Sequence, residues 1–265
     1  MLDSIFKSKL TYLLLIFYFI LLAWWIKIFI SGVQLSNENY YFGFIYAFIA
    51  LIGGINGLFI SRKWGGFRSY IGRGIIFFSL GLLGEWFGET AWSYYNIVAH
   101  IQLPYPSIAD AGYFSIIPFY CLGILSFAKA AGTSFSLRSV YGKLILFIIP
   151  AIMLTISYFL YLRNLQFDAT QPLTTFLNYG YPIGEAVTIS LALLTYGLSK
   201  GILGGKMKGK VLFIIFALCI QYITDSTFLY TAAVSTYYNA GPVDMMYATA
   251  FLSMALGLIA LRSYE

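Results

Sequence analysis

Residues 10–30 read Leu-Thr-Tyr-Leu-Leu-Leu-Ile-Phe-Tyr-Phe-Ile-Leu-Leu-Ala-Trp-Trp-Ile-Lys-Ile-Phe-Ile, with Lys27 as the single charged side chain. A helix rising about 1.5 Å per residue crosses the roughly 30 Å hydrocarbon of a bilayer in about 20 residues. Leu10–Ile30 therefore predicts a membrane-spanning helix. Its basic start is not followed by a small-residue cleavage pattern, so it reads as a first helix that is retained. Seven further runs of this kind follow: Tyr41–Ile60, Gly74–Val98, Ala111–Ala128, Leu144–Leu162, Tyr181–Leu198, Val211–Ala233 and Asp244–Leu261. They are too long for strands and do not alternate as barrel strands must. The expected fold is an all-α integral membrane protein, one membrane domain over residues 1–265 with eight transmembrane helices.

Composition agrees. Of 265 residues, 60% are hydrophobic, 20% aromatic and 10% charged, against about 25% charged in soluble domains. Two cysteines cannot staple a small scaffold, and the apolar content excludes a disordered chain. Cys121 and Cys219 both fall inside spans and read as packing thiols.

The basic residues orient the chain. Lys7, Lys9, Arg62, Lys63, Arg68, Arg73, Lys129, Arg138, Lys143, Lys200, Lys206, Lys208, Lys210 and Arg262 all fall on one side of the eight-span layout. Lys27 and Arg163 fall toward the other. Both termini are expected in the cytoplasm of a multi-pass plasma-membrane protein. Each basic cluster is a short loop between apolar runs, so anionic lipid headgroups and not nucleic acid are the expected contact.

The sequence repeats itself at an offset of 134 to 136 residues. Gly84-Glu85-Trp86-Phe87-Gly88-Glu89-Thr90 aligns with Ile220-Gln221-Tyr222-Ile223-Thr224-Asp225-Ser226, and Asp110-Ala111-Gly112-Tyr113 with Asp244-Met245-Met246-Tyr247. Leu122-Gly123 matches Leu256-Gly257, and Lys9-Leu10 matches Lys143-Leu144. Four helices per half, an even number, give two parallel four-helix repeats, 1–133 and 134–265.

Acidic residues carry the functional signal. Three outer loops place a proline and an acid where the next span begins: Pro106 with Asp110, Pro182 with Glu185, and Pro242 with Asp244. Proline suits the first helical position and an acid meets the positive end of the helix dipole, so capping is the plain reading. Glu85, Glu89 and Asp225 lie within spans. At about 1.5 Å per residue, Glu85 sits about 16 Å and Glu89 about 22 Å from Gly74, and Asp225 about 21 Å from Val211. An ionised acid at the bilayer centre costs roughly 2.5 to 3.5 kcal/mol, so such residues face a bundle interior and pair with something. They either lock helices together or line an outward-facing pocket whose acids and aromatics attract a small cation. The candidate ligand- or cation-binding set is Glu85, Glu89, Asp225, Asp110, Glu185, Asp244, Tyr113 and Tyr247.

Enzyme chemistry has little support. His100 stands alone in a loop, and no nucleophile elbow, phosphate-cradling loop or Cys/His pair occurs. The sequence names no cofactor and leaves a metal undecided. The stretch Leu103-Pro104-Tyr105-Pro106-Ser107-Ile108-Ala109-Asp110-Ala111-Gly112-Tyr113, with Pro118 in the helix that follows, resembles one in bacterial multi-span input domains fused to diguanylate cyclases, phosphodiesterases and histidine kinases. Tyr181-Pro182-Ile183-Gly184-Glu185 and the helix of Asp225 are similar to later segments of those domains. The resemblance implies a membrane sensory module. With the sequence given ending at Glu265, an output module would be a separate signalling partner. The alternatives are a cation or organic-cation transporter or channel, and a structural subunit of a membrane complex. Residues 75–83 and 211–220 carry no acid or base to extend a path inward, which favours a blind outer pocket.

The topology is checked by cysteine accessibility in intact cells. Gln102→Cys and Asn239→Cys should react with an impermeant thiol reagent and Gly65→Cys and Gly205→Cys should not; the reverse pattern overturns the orientation.

Overall fold

The computed structural model describes residues 5–101, 103–132, 140–199 and 205–262. Gln102, Arg138 and Lys200, and the boundary between the two expected repeats, lie outside the described residues. Nine α-helices are found among those described: α1 Lys9–Ser31, α2 Asn37–Tyr46, α3 Phe48–Lys63, α4 Tyr70–Ser93, α5 Ile108–Ala130, α6 Val140–Leu160, α7 Pro172–Ser199, α8 Gly205–Ala233 and α9 Pro242–Ala260. No strand occurs among the described residues. Seven helical stretches are long and apolar enough to cross a membrane; α2 and α3 together form one of them.

Helix boundaries follow local chemistry. The α5 start is a capping box: the Ser107 side chain accepts from the first turn while Asp110 Oδ2 accepts from the Ser107 amide at 2.7 Å. Pro242 opens α9 and Asp244 lies in its first turn. The second expected run is interrupted at Ala47, so α2 and α3 are separate helices. The third ends in a π-turn, Tyr94–Val98.

One capping expectation is overturned. Pro182 does not open its helix: α7 begins at Pro172, and Pro182 lies inside it with Glu185 thirteen residues past the start. A proline within a spanning helix is tolerated when neighbours satisfy the backbone it disturbs. Here the Ser157 hydroxyl donates to the Pro182 carbonyl at 2.9 Å. Glu185 is consequently buried in the bundle instead of sitting at a helix end.

Cross-contacts mark the two ends of the bundle. At one, the Trp64 indole donates to the Leu261 carbonyl at 2.8 Å and Lys129 lies over the Tyr70 ring. At the other, the Asn39 amide donates to the Asn239 carbonyl at 2.9 Å, and the Trp92 and Trp25 indoles donate to Asn239 Oδ1 and the Gly241 carbonyl. Helix α9 is buried along almost its whole length and packs on α8, α3 and α1. Helix α5 packs on α4 and α7. Helices α1 and α6 are peripheral and turn large apolar side chains such as Phe19, Ile20, Phe147 and Phe159 outward.

The tightest seam joins α4 and α5. A Cβ on Gly112 would lie 2.6 Å from both the Gly84 carbonyl oxygen and the Gly88 nitrogen, so the two backbones touch here. In lipid, helix association draws on such close packing and not on hydrophobic burial. Gly112→Leu should lower the thermal unfolding midpoint in detergent, at an overpacking cost of about 1–3 kcal/mol or more. Gly43→Ala, whose added methyl meets nothing closer than Asn239 Oδ1 at 3.7 Å, should leave the midpoint within error. Equal effects of the two would refute the seam.

Candidate functional site

Three helices meet at Gln221. Its Nε2 on α8 donates to Glu85 Oε1 of α4 at 2.7 Å and, with its second hydrogen, to both carboxylate oxygens of Asp225 at 3.1 Å. The Tyr247 hydroxyl of α9 donates to Asp225 Oδ1 at 2.9 Å. Gln221 and Asp225 are four apart and so share one face of α8, as Glu85 and Glu89 share one face of α4. All four side chains are buried; Glu85 is 1% exposed.

Glu89 sits one turn from Glu85 toward the Asn239 end of the bundle. The phenols of Tyr46 on α2 and Tyr113 on α5 lie within the electrostatic range of its carboxyl. Tyr113 can approach because Gly88 offers no side chain; a Cβ there would stand 2.6 Å from the phenol ring. Glu185 comes from α7 and lies in the electrostatic range of Asp225 and Glu85. Three helices thus bring Glu85, Glu185 and Asp225 to one centre, with Glu89 adjoining it.

Asp110 and Asp244 occupy a different kind of place. Each is in the first turn of its helix with one oxygen on a backbone amide and the other on a tyrosine. Asp110 accepts from the Ser107 amide at 2.7 Å and from the Tyr181 hydroxyl at 2.9 Å. Asp244 accepts from the Ala240 amide at 2.7 Å and from the Tyr237 hydroxyl at 2.9 Å. Capping accounts for both. Asp244 is the deeper of the two and lies within the electrostatic range of Glu89, which links the cap to the buried acids.

The partners of these acids are neutral amides and hydroxyls. The two cations that the sequence sets against the outer acids are elsewhere. Lys27 Nζ pairs with Glu38 Oε1 at 2.6 Å on the surface, where the Trp24 indole also donates at 2.8 Å. Arg163 is exposed. Asp168, in the loop between α6 and α7, accepts from the hydroxyl and amide of Thr170, which hold its carboxyl below the ordinary aspartate range. Cys121 and Cys219 are unpaired thiols, and His100 is exposed. Among the described residues no three His, Cys, Asp or Glu side chains form a ligand set for a metal ion.

A cluster of aromatic rings adjoins Asp225 and Asp244. Trp92, Phe228 and Tyr237 contact one another edge-on at centroid distances of 5.0 to 6.3 Å, and Phe228 reaches Tyr247 at 6.3 Å. Such rings present negative faces to a cation. An open groove of about 760 Å³ between α1 and the α2–α3 segment, lined by Tyr12, Phe17, Ile45, Phe48 and Ile52, is a separate, outward-facing feature that includes none of the candidate residues.

Of the positions aligned by the expected repeat, Glu85 and Gln221 are hydrogen-bonded to each other, and Tyr247 donates to Asp225 while the Tyr113 ring lies against Gly88, next to Glu89. Gly123 packs on Phe78 and Gly257 on Ile214, each with a virtual Cβ contact of 3.0 Å. Tyr46 and Tyr120 are site residues that the sequence does not reveal, because nothing in an apolar run marks which tyrosine turns inward. The hub role of Gln221 was signalled only by its alignment with Glu85. Compared with protein-family models, curated proteins and solved structures, the chain matches none.

Replacing the hub tests the centre. Gln221→Leu strips two buried carboxylates of their shared donor and should cost about 1–3 kcal/mol, read as a lower unfolding midpoint. A variant as stable as the parent would show that the hydrogen bonds contribute nothing.

Proposed function

We propose that this chain is a plasma-membrane sensory module that binds a small organic cation in an outward-facing pocket of acids and aromatic rings. The observation that carries the reading is the convergence of Glu85, Glu185 and Asp225 from three helices into a buried centre where the donors to Glu85 and Asp225 are neutral. Removing a carboxylate from water costs several kcal/mol unless an opposite charge or a proton compensates it. A bound cation supplies that charge, and the rings around Trp92 and Tyr247 add a second attraction suited to an ammonium group. The resemblance of the Pro106–Tyr113 stretch to bacterial input domains supports sensing, with the signal passed to a separate partner.

The proposed topology has eight spans, with the 28-residue α7 as the eighth, and both termini on the basic, cytoplasmic side. The proposed architecture is two parallel four-helix repeats. Its support is the correspondence of the neighbours of α5 with those of α9 and of the Gly123–Phe78 contact with Gly257–Ile214. A duplication of this kind would bring Glu85 and Gln221 face to face, and their hydrogen bond agrees with that.

Titration calorimetry on the purified protein in nanodiscs, using butylammonium and butyltrimethylammonium, should show saturable binding of at least one probe. Glu85→Gln and Asp225→Asn should each weaken that binding, and Glu89→Gln should match Asp225→Asn if the repeats act alike. Absence of binding by both probes would overturn the cation reading. Flux of a bound probe across proteoliposomes would replace sensing with transport.

A further inference from the structure

The proposed duplication is broken at one spot, and the break specifies the guest. The register that pairs Cys121 with Ala255 and Gly53 with Thr188 follows contacts in space: Thr188 touches Cys121 between α7 and α5, and Gly53 abuts Ala255 between α3 and α9. In that register Tyr120 corresponds to Met254 and Glu185 to Ala50, both apolar and fully buried. One half therefore carries a hydroxyl and a carboxylate where the other has plain packing.

Tyr120 is 2% exposed, and its hydroxyl has no hydrogen-bond partner. The ring is held where it is by the absence of a side chain at Gly81, whose Cβ would overlap it, and by Phe78. The titratable groups within electrostatic range of the hydroxyl are Glu85 on α4, Asp225 on α8 and Glu185 on α7. A buried hydroxyl without a partner costs about 1–3 kcal/mol. Natural cores leave few such groups without a functional reason. The same centre holds Glu185, which is not among the carboxylates that Gln221 or Tyr247 serves.

We infer that the pocket accepts a primary or secondary ammonium, whose N–H groups meet Tyr120 Oη and the Glu185 carboxylate, and discriminates against quaternary ammonium. This rests on the cation reading above and deepens it. A quaternary head presents only methyl groups; it would satisfy the charge of Glu185 but leave the Tyr120 hydroxyl unpaired in a dry site. A primary head has three N–H donors, enough for Tyr120, Glu185 and Asp225 together. The phenol oxygen accepts one N–H.

Calorimetry with the two probes of equal chain length decides the matter. The wild-type protein should bind butylammonium about 10- to 100-fold more tightly than butyltrimethylammonium, the span expected for hydrogen bonds to a charged group. Tyr120→Phe should abolish most of that ratio by weakening butylammonium alone. Its unfolding midpoint without probe should be unchanged or raised, since only an unpaired hydroxyl is removed. Glu185→Gln should weaken both probes, because it removes charge. Equal or tighter binding of the quaternary probe, or a ratio that survives Tyr120→Phe, overturns the inference while leaving the cation reading intact. Binding of neither probe overturns both. Should Tyr120→Phe fail to fold, the wild-type ratio decides alone.

Discussion

The structure is organised around carboxyl groups that lie deep in apolar surroundings beside neutral partners. An acid in such a place must be met by hydrogen bonds, a proton or a counter-charge, because desolvation otherwise exceeds anything packing returns. Gln221 meets this need for two acids at once. To do so, α8 must face α4 at one rotation and one height. Tyr247 imposes the same kind of restriction on α9, since its phenol has to reach Asp225. Polar contacts thus determine register in a bundle whose remaining surface is almost uniformly apolar.

Small residues make those contacts reachable. Gly84, Gly88 and Gly112 let α4 and α5 approach until their backbones touch, which brings the rings of Tyr113 and Tyr120 against α4. The centre lies where the helices are closest, and the peripheral α1 and α6 take no part in it. Asp110 and Asp244 belong to a different layer, where a carboxylate on a first-turn amide fixes the start of a helix. The link between Asp244 and Glu89 continues the acids from that layer into the interior.

On the proposed duplication, two similar halves pack alike and then diverge. On that reading, divergence at Gln221, Glu185 and Tyr120 would turn a symmetric packing device into a centre with a direction and a chemical preference. Gln221 is the informative case. An acid at that position would add another like charge against Glu85, whereas an amide of the same shape donates to it.

Much was legible in the sequence alone. Apolar runs of about twenty residues that do not alternate determine a helical membrane protein, because they cannot form barrel strands and a helix is the other arrangement that satisfies its backbone hydrogen bonds in lipid. Acids inside such runs determine that an interior polar centre exists, because lipid does not tolerate them outside one. Helix starts at Ser107 and Pro242 could be read from capping chemistry, whereas the start at Pro172 could not, since a proline inside a lipid-embedded helix resembles one that begins it. Only the tertiary structure decided that Glu185 joins Glu85 and Asp225 and that Asp110 stays at a helix end. It alone singled out Tyr120, whose buried hydroxyl has no hydrogen-bond partner, from twenty-three tyrosines. The physical reason is that hydropathy depends on composition along one helix, while a hydrogen bond depends on the rotation of two.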